Sequence, residues 1–353
     1  MRIAIATDCW RPQVDGITRT LEATARELHG LGHDVLMITP DDFASITLPY
    51  GDVAALPWYP RLARKLRSFA PNTVHIATQG PVGVAARVWC RLNGVHVTTA
   101  FHTRFPEYGK LRHRIPERLL YAYARLFHGR SAPVLVPSRA LAGVLQRHGI
   151  AETRIWSRGV DTELYRPRQK TWSAYRRPLL LYVGRVVEEK NVEAFLSLAA
   201  DGTRIVVGSG PRLQALTKQY PEVVFLGEKH GHELARCYAE ADVFVFPSLL
   251  DTFGLVILEA LASGVPVAAF PSPHLAEVFA GRKGIVTRES LAEAVSAALE
   301  CSAAECRQTA LAYSWRAATE QLVEIIVADM ETKGWETKGW DTKGRDAKGE
   351  AQR

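Results

Sequence analysis

Apolar and polar positions along this chain fall into two alternating periods. Residues 2–7 form a short apolar run that reads as a strand, and Ile17, Leu21, Ala25, Leu28 and Leu31 recur at helical spacing over 17–30. Gly32 ends that helix, and the next apolar run, 34–39, predicts a second strand, so the two strands pair in parallel. Further strands are expected at 73–77, 95–100 and 133–137, with helices at 81–92, 116–128 and 138–147. Segment 41–60 has no clear period and is left unassigned. Leu62, Leu66 and Phe69 sit at helical spacing among Arg61, Arg64, Lys65 and Arg67, the pattern of a basic amphipathic helix. Around 165–178 the chain turns polar, with two prolines, which is a linker composition. The alternation then restarts. Strands are expected at 179–183, 204–207, 223–226, 243–246 and 265–269, and helices at 190–200, 232–240 and 254–263. Two successive β/α halves predict an α/β protein of two doubly wound parallel-sheet domains facing one another across a cleft.

Length agrees, because 353 residues exceed what one hydrophobic core usually supports. The expected boundaries are a domain over 1–165, a linker over 166–178, a second domain over 179–302, and a final helix over 303–328 belonging to either domain. From 331 to 353 the chain repeats a five-residue unit with a glycine in each, a low-complexity run for which disorder is expected. Five cysteines, without a C-x-x-C pair, fit neither a disulfide framework nor a structural zinc site. No stretch is apolar for the roughly 18 residues a membrane span needs, and the opening residues turn polar too early for a secretory segment. A cytoplasmic setting is the resulting expectation.

The net charge of +7 is unevenly distributed. Residues 1–165 hold 21 Lys and Arg against 13 Asp and Glu, whereas 166–330 hold 17 against 19. A second basic stretch, Arg104 to Arg130, interleaves its cations with Tyr, Leu and Phe. Solvated helix faces and docking on an anionic membrane surface or acidic acceptor are both open. Nucleic acid is not expected as a partner, since the cations match no reader motif.

Candidate chemistry lies at predicted strand ends. Asp15 and Gly16 open the first helix, where Asp15 is an N-cap and Gly16 permits an anion to approach free N–H groups. Gly184 and Arg185 follow the first strand of the second half, and Lys190 follows five residues later. These two cations can converge on a diphosphate or stand as ordinary surface charges. Gly208 lies in a glycine turn that allows close approach of a ligand. His102 and Ser138 each follow a strand, as a structural histidine and an N-cap or as groups facing a ligand. The strongest signal is the stretch 247–266, an apolar segment that nevertheless holds Asp251 and Glu259. Phe253 begins a buried helix, Gly254 and Leu255 present its free N–H groups, and each acid needs a donor, from the protein or from a polyhydroxyl ligand.

These motifs, in this order over residues 1–328, resemble retaining glycosyltransferases of family 4, with the two-domain GT-B fold. The resemblance rests on the Asp15–Gly16 loop, Phe101–Thr103, Pro137–Ser138, Arg158–Thr162, Val183–Arg185 with Lys190, Gly208–Pro211, and Asp251–Glu259. The family usually has Glu where Asp251 stands here. The sequence around Asp251 also looks like a subgroup that glycosylates lipids, including diacylglycerol and mannolipid enzymes. The resemblance implies that Asp251, Phe253, Gly254 and Leu255 hold donor sugar and phosphate and that Glu259 takes the ribose. It also implies that Arg185 and Lys190, with Gly184 and Gly208 beside them, neutralise the diphosphate, that Gly16 approaches it, and that His102 contacts the sugar. Asp15 and Ser138 are the acceptor-side candidates. The implied reaction moves a hexosyl group from a UDP- or GDP-sugar to a lipid or lipid-linked acceptor, with retention and without metal or other cofactor. Peripheral attachment to the inner face of the cell membrane would go with it. A sugar-nucleotide epimerase, a transferase with a soluble acceptor and a non-catalytic binding module are the alternatives.

Overall fold

The computed structural model describes residues 1–11, 15–47, 53–129 and 133–335. The chain divides into two compact units, Met1–Ser157 together with the chain from Trp315, and Arg158–Ser314.

In the first unit the order is β1 (Arg2–Ala6), α1 (Gly16–Gly30), β2 (Asp34–Ile38), β3 (Ala44–Thr47), β4 (Val53–Leu56), α2 (Tyr59–Phe69), β5 (Thr73–Ile76), α3 (Pro81–Asn93), β6 (His96–Ala100), α4 (Phe105–His113), α5 (Glu117–His128), β7 (Val134–Val136), α6 (Arg139–Arg147) and β8 (Thr153–Ile155). Six strands form a parallel sheet in the order β2-β1-β5-β6-β7-β8. Alternate residues of β1 serve opposite faces. Ala4 and Ala6 pack with Leu62 and Leu66 of α2 and Val82, Ala86 and Trp89 of α3. Ile3 and Ile5 pack on the other side with Leu21 and Leu28 of α1. The unassigned segment 41–60 contains the antiparallel hairpin β3–β4, whose short strands give no helical or alternating pattern to read. Helix α4 and strand β8 also lie outside the sequence expectation.

The second unit runs β9 (Leu179–Val183), α7 (Val192–Leu196), β10 (Thr203–Val207), α8 (Leu213–Gln219), β11 (Val224–Phe225), α9 (Gly231–Glu240), β12 (Val243–Phe246), α10 (Leu255–Ala262), β13 (Val267–Ala269), α11 (Pro273–Val278), β14 (Ile285–Thr287), α12 (Leu291–Ala298) and α13 (Ala303–Leu311). Its parallel sheet is ordered β11-β10-β9-β12-β13-β14, so strand order reverses between β9 and β12. In open α/β sheets ligands bind outside the carboxyl ends of the strands at such a switch point. The helix expected over 190–200 is shorter, because Asn191 takes a left-handed φ of 51° and separates a 3-10 turn, Glu188–Lys190, from α7.

The polar segment expected as a linker is bound into the second unit by two acids. Glu240, buried at the end of α9, accepts from the N–H groups of Thr171 and Trp172 and from the Thr171 hydroxyl at 2.6–3.0 Å. Asp242 pairs with Lys170 and Arg177 and accepts from Leu179 N at 2.7 Å. The single helix expected over 303–328 is two. Between α13 and α14 (Trp315–Thr332), Tyr313 donates its hydroxyl to Val278 O at 2.6 Å, and its carbonyl accepts from Val160 N at 3.1 Å. From Trp315 the chain is again part of the first unit, where His96 Nε2 and Asp329 Oδ2 of α14 lie 2.9 Å apart. Order extends past 331, since α14 reaches Thr332 and Trp335 packs edge-on to His96. The rest of the repeat lies outside the described residues.

Candidate active site

The carboxyl ends of β9, β12 and β13 bring together side chains that are up to 84 positions apart in sequence. Lys190 arrives on the 3-10 turn after β9, Ser248 and Asp251 on the loop after β12, and His274 at the start of α11 after β13. Lys190 Nζ donates to Asp251 Oδ1 at 2.5 Å, across the switch point. Burial pushes the Asp251 carboxyl up. The charge and hydrogen bond of Lys190, with the charge of His274, outweigh that and hold it below the usual carboxylate value. Asn191 Nδ2 donates to Pro247 O at 3.1 Å and ties the same two loops. Arg185, more than half exposed, is turned to Glu189 Oε1 at 3.2 Å, so the two candidate cations have different carboxylate partners.

Gly254 caps α10 with φ 81°, and a Cβ there would meet Ile257 Cδ1 at 2.9 Å and Phe246 Cζ at 3.3 Å. Only glycine suits this bend, which starts the helix beside Asp251. Phe253 is buried against the rings of Phe279 and Tyr313 and anchors the bend, while Leu255 is half-buried. One turn on, Glu259 is buried and accepts from Tyr238 Oη at 2.9 Å. Part of its need for a donor is therefore met by α9. Gly208 has a packing reason of its own, since a Cβ at its φ of 145° would lie 1.9 Å from Gly184 O. The glycine turn thus lets β9 and β10 run on side by side, whatever approaches them.

In the first unit, Asp15 Oδ1 accepts from Thr18 N at 2.8 Å, and Ser138 Oγ accepts from Leu141 N at 3.2 Å, so both are helix N-caps. Gly16 is the exposed first residue of α1. His102 is buried just past β6, edge-on to Trp156 with ring centroids 5.7 Å apart. Strand order here reverses between β1 and β5, and Asp8, which the sequence reading passed over, sits at that point. It accepts from Val82 N and the Thr78 hydroxyl at 2.7 Å and so caps α3. Burial raises its pKa against the pull of those hydrogen bonds. The available signal was an acid directly after an apolar strand. Ser248 and His274 gave none, because their place beside Asp251 depends on strand neighbours.

Two parallel six-stranded sheets with these switch points, flanked by helices, define the class as the GT-B fold. Family models match residues 14–164, as Glycosyltransferase Family 4, and 177–301, as Glycosyl transferases group 1. The chain is 32% identical over 303 residues to a GDP-mannose-dependent alpha-mannosyltransferase of Mycobacterium tuberculosis, covering 76% of this chain and 79% of that protein. It is 28% identical to an alpha-monoglucosyldiacylglycerol synthase of Streptococcus pneumoniae, covering 78% of this chain and 72% of the other. Among solved structures, sucrose-phosphate synthase from Thermosynechococcus elongatus superposes with a TM-score of 0.75 at 20% identity, over 94% of this chain and 99% of that one. The chain belongs to glycosyltransferase family 4 and is a glycosyltransferase.

Proposed function

We propose that the protein transfers a hexosyl group from a nucleoside-diphosphate sugar to a lipid or lipid-linked acceptor, with retention of configuration, at the cytoplasmic face of a membrane. The observation that carries this reading is the Lys190–Asp251 pair at the switch point of the second sheet, beside the glycine-started helix α10. A leaving nucleoside diphosphate gains negative charge as the glycosidic bond breaks. Lys190 and Arg185 supply positive charge, the first N–H groups of α10 supply aligned donors, and such preplaced groups stabilise the developing charge. Lys190 would exchange Asp251 for phosphate when the donor enters, which frees the carboxylate for a sugar hydroxyl. Glu259, already holding Tyr238, would take the ribose. In this scheme no metal or other cofactor is needed.

The donor named for one relative makes GDP-mannose the first to test, and the glucosylated lipid named for another makes a glucosyl donor the second. A lipid acceptor is supported by the diacylglycerol named for one relative, and a membrane setting by the basic character of residues 1–165. The test is a thermal-shift series over GDP-, UDP- and ADP-sugars, followed by labelled transfer into a membrane lipid extract. At a hundred times Kd a donor adds about 2.7 kcal/mol of stability, a rise of several degrees in Tm. Absence of any shift and of any labelled lipid across the series would overturn the reading.

A further inference from the structure

Glu259 is buried among Ile257, Leu258, Ala260 and Leu261 of α10, and Tyr238 of α9 is buried completely. Tyr238 Oη donates to Glu259 Oε2 at 2.9 Å, so a phenol and a carboxylate, each costly to bury alone, meet inside one apolar cluster. A Phe and a Leu would fill the same space without polar atoms. Replacing both partners of a buried hydrogen bond by apolar groups of like shape is often nearly neutral or stabilising. Packing alone therefore does not call for this pair, whereas a ligand that needs an oriented carboxylate at this point does.

The tyrosine is itself held in place. Its ring is edge-on to Tyr165, with centroids 5.7 Å apart, and tilted against Phe244 at 5.6 Å. Two residues on, Glu240 fixes the end of α9 to Thr171 and Trp172. Arg307 donates to Tyr165 O at 2.8 Å and to Ala262 O at 2.6 Å, which ties Tyr165 to the last turn of α10. The phenol oxygen thus has a fixed place relative to α10. A glutamate side chain gives up rotamer freedom when it is ordered. Here the tyrosine orders it during folding, so an arriving ligand meets a carboxylate already set. We propose that Tyr238 is a positioning residue that sets the preference for a ribonucleotide donor, by aiming the Glu259 carboxylate at the ribose 2′- and 3′-hydroxyls. The inference rests on the reading of Glu259 as the group that takes the ribose. A site that hydrogen-bonds a ligand hydroxyl rejects the analogue lacking it, because its own buried polar group is then left unmatched. Without the phenol the carboxylate turns among its rotamers, and that discrimination is the first property to fall.

The test is calorimetric titration of the full chain, wild type and Tyr238→Phe, with GDP, 2′-deoxy-GDP and 3′-deoxy-GDP, or with the UDP set if that nucleotide alone raises Tm. The wild type should bind the ribonucleotide about tenfold or more tightly than at least one of the analogues. Tyr238→Phe should lower that ratio to about threefold or less, while affinity for the deoxy compound stays within about twofold. In transfer assays the same variant should raise the donor KM more than it lowers kcat. In a Glu259→Gln background it should change the ratio no further, since both substitutions remove one interaction. Phe keeps the ring in its cluster, and the ligand-free Tm checks folding. Tyr238→Met, which also lacks the hydroxyl, replaces it if the first variant is unstable. An unchanged ribose preference in Tyr238→Phe, or equal weakening of all three ligands, would overturn the proposal and leave Glu259 in its role. No ribose preference in the wild type, or one that survives Glu259→Gln, would sink the ribose reading and the proposal with it. Absence of binding by either nucleotide would sink the donor reading itself.

Discussion

Asp251 shows how an acid survives at the edge of an apolar segment. Lys190 holds it as a carboxylate, and the Lys190–Asp251 pair should behave as one unit. Lys190→Met leaves a partly buried charge unpaired and should cost about 3 kcal/mol in urea unfolding, whereas the double variant with Asp251→Leu should recover part of that loss. Donor-dependent transfer should fall in Lys190→Met, in Asp251→Leu alone and in the double variant. Additive stability losses would show that the two side chains act separately. The sequence marked both residues but did not pair them, since a separation of 61 positions says nothing about β9 and β12 being neighbours. Ser248 and His274 were invisible for the same reason, whereas Asp8 carried one signal, an acid directly after an apolar strand. Conversely, Asp15 and Ser138 have local roles as caps that their positions before helices already announced.

Strands and long helices were legible because their burial imposes a period, and β12, with four buried residues in a row, is the clearest case. What escaped were short elements governed by backbone angle or distant contacts, such as α7, cut short at Asn191, and the α13–α14 break at Tyr313. The elements of the first unit are also joined by buried histidines. Thr73 and His96 pair across β5 and β6 at 2.7 Å, His75 and Thr98 at 2.9 Å, and His128 of α5 meets Thr99 of β6 at 2.8 Å. Burial, with the Arg87 charge, lowers the His128 pKa to about 3. Burial, with the charges of the amino terminus and Arg316, lowers that of His33 to about 4. The unfolded chain binds these protons from about pH 6.5 downward and the folded chain does not, so stability is full above that value and declines below it. Each histidine should contribute a slope of about 1.4 kcal/mol per pH unit, for His33 down to about pH 4 and for His128 down to about pH 3. Urea midpoints against pH for the wild type and His128→Gln measure this, and identical curves would remove His128 from the account.

At the scale of the molecule, the sequence showed the two α/β halves and their unequal charge, and family membership followed from ordered motifs rather than from any one of them. It did not show the route of the chain, which leaves the first unit after Ser157 and is part of it again at Trp315. The two ends of the intervening segment are already fastened to each other by Val160 N and Tyr313 O. Arg307, nearby in α13, donates to Thr162 O at 3.0 Å and Tyr165 O at 2.8 Å and reinforces the closure. A self-closed insertion is a natural excision product, because its severed termini start next to each other and leave no strand of the sheet behind. Residues 158–314 expressed alone should therefore unfold in a single cooperative transition. Their Tm should rise with the same sugar nucleotides as the whole enzyme, in a calorimetric experiment that needs neither lipid nor the first unit. An excised piece that melts without cooperativity would mean that the bond between Val160 and Tyr313 closes a loop without making the segment self-sufficient.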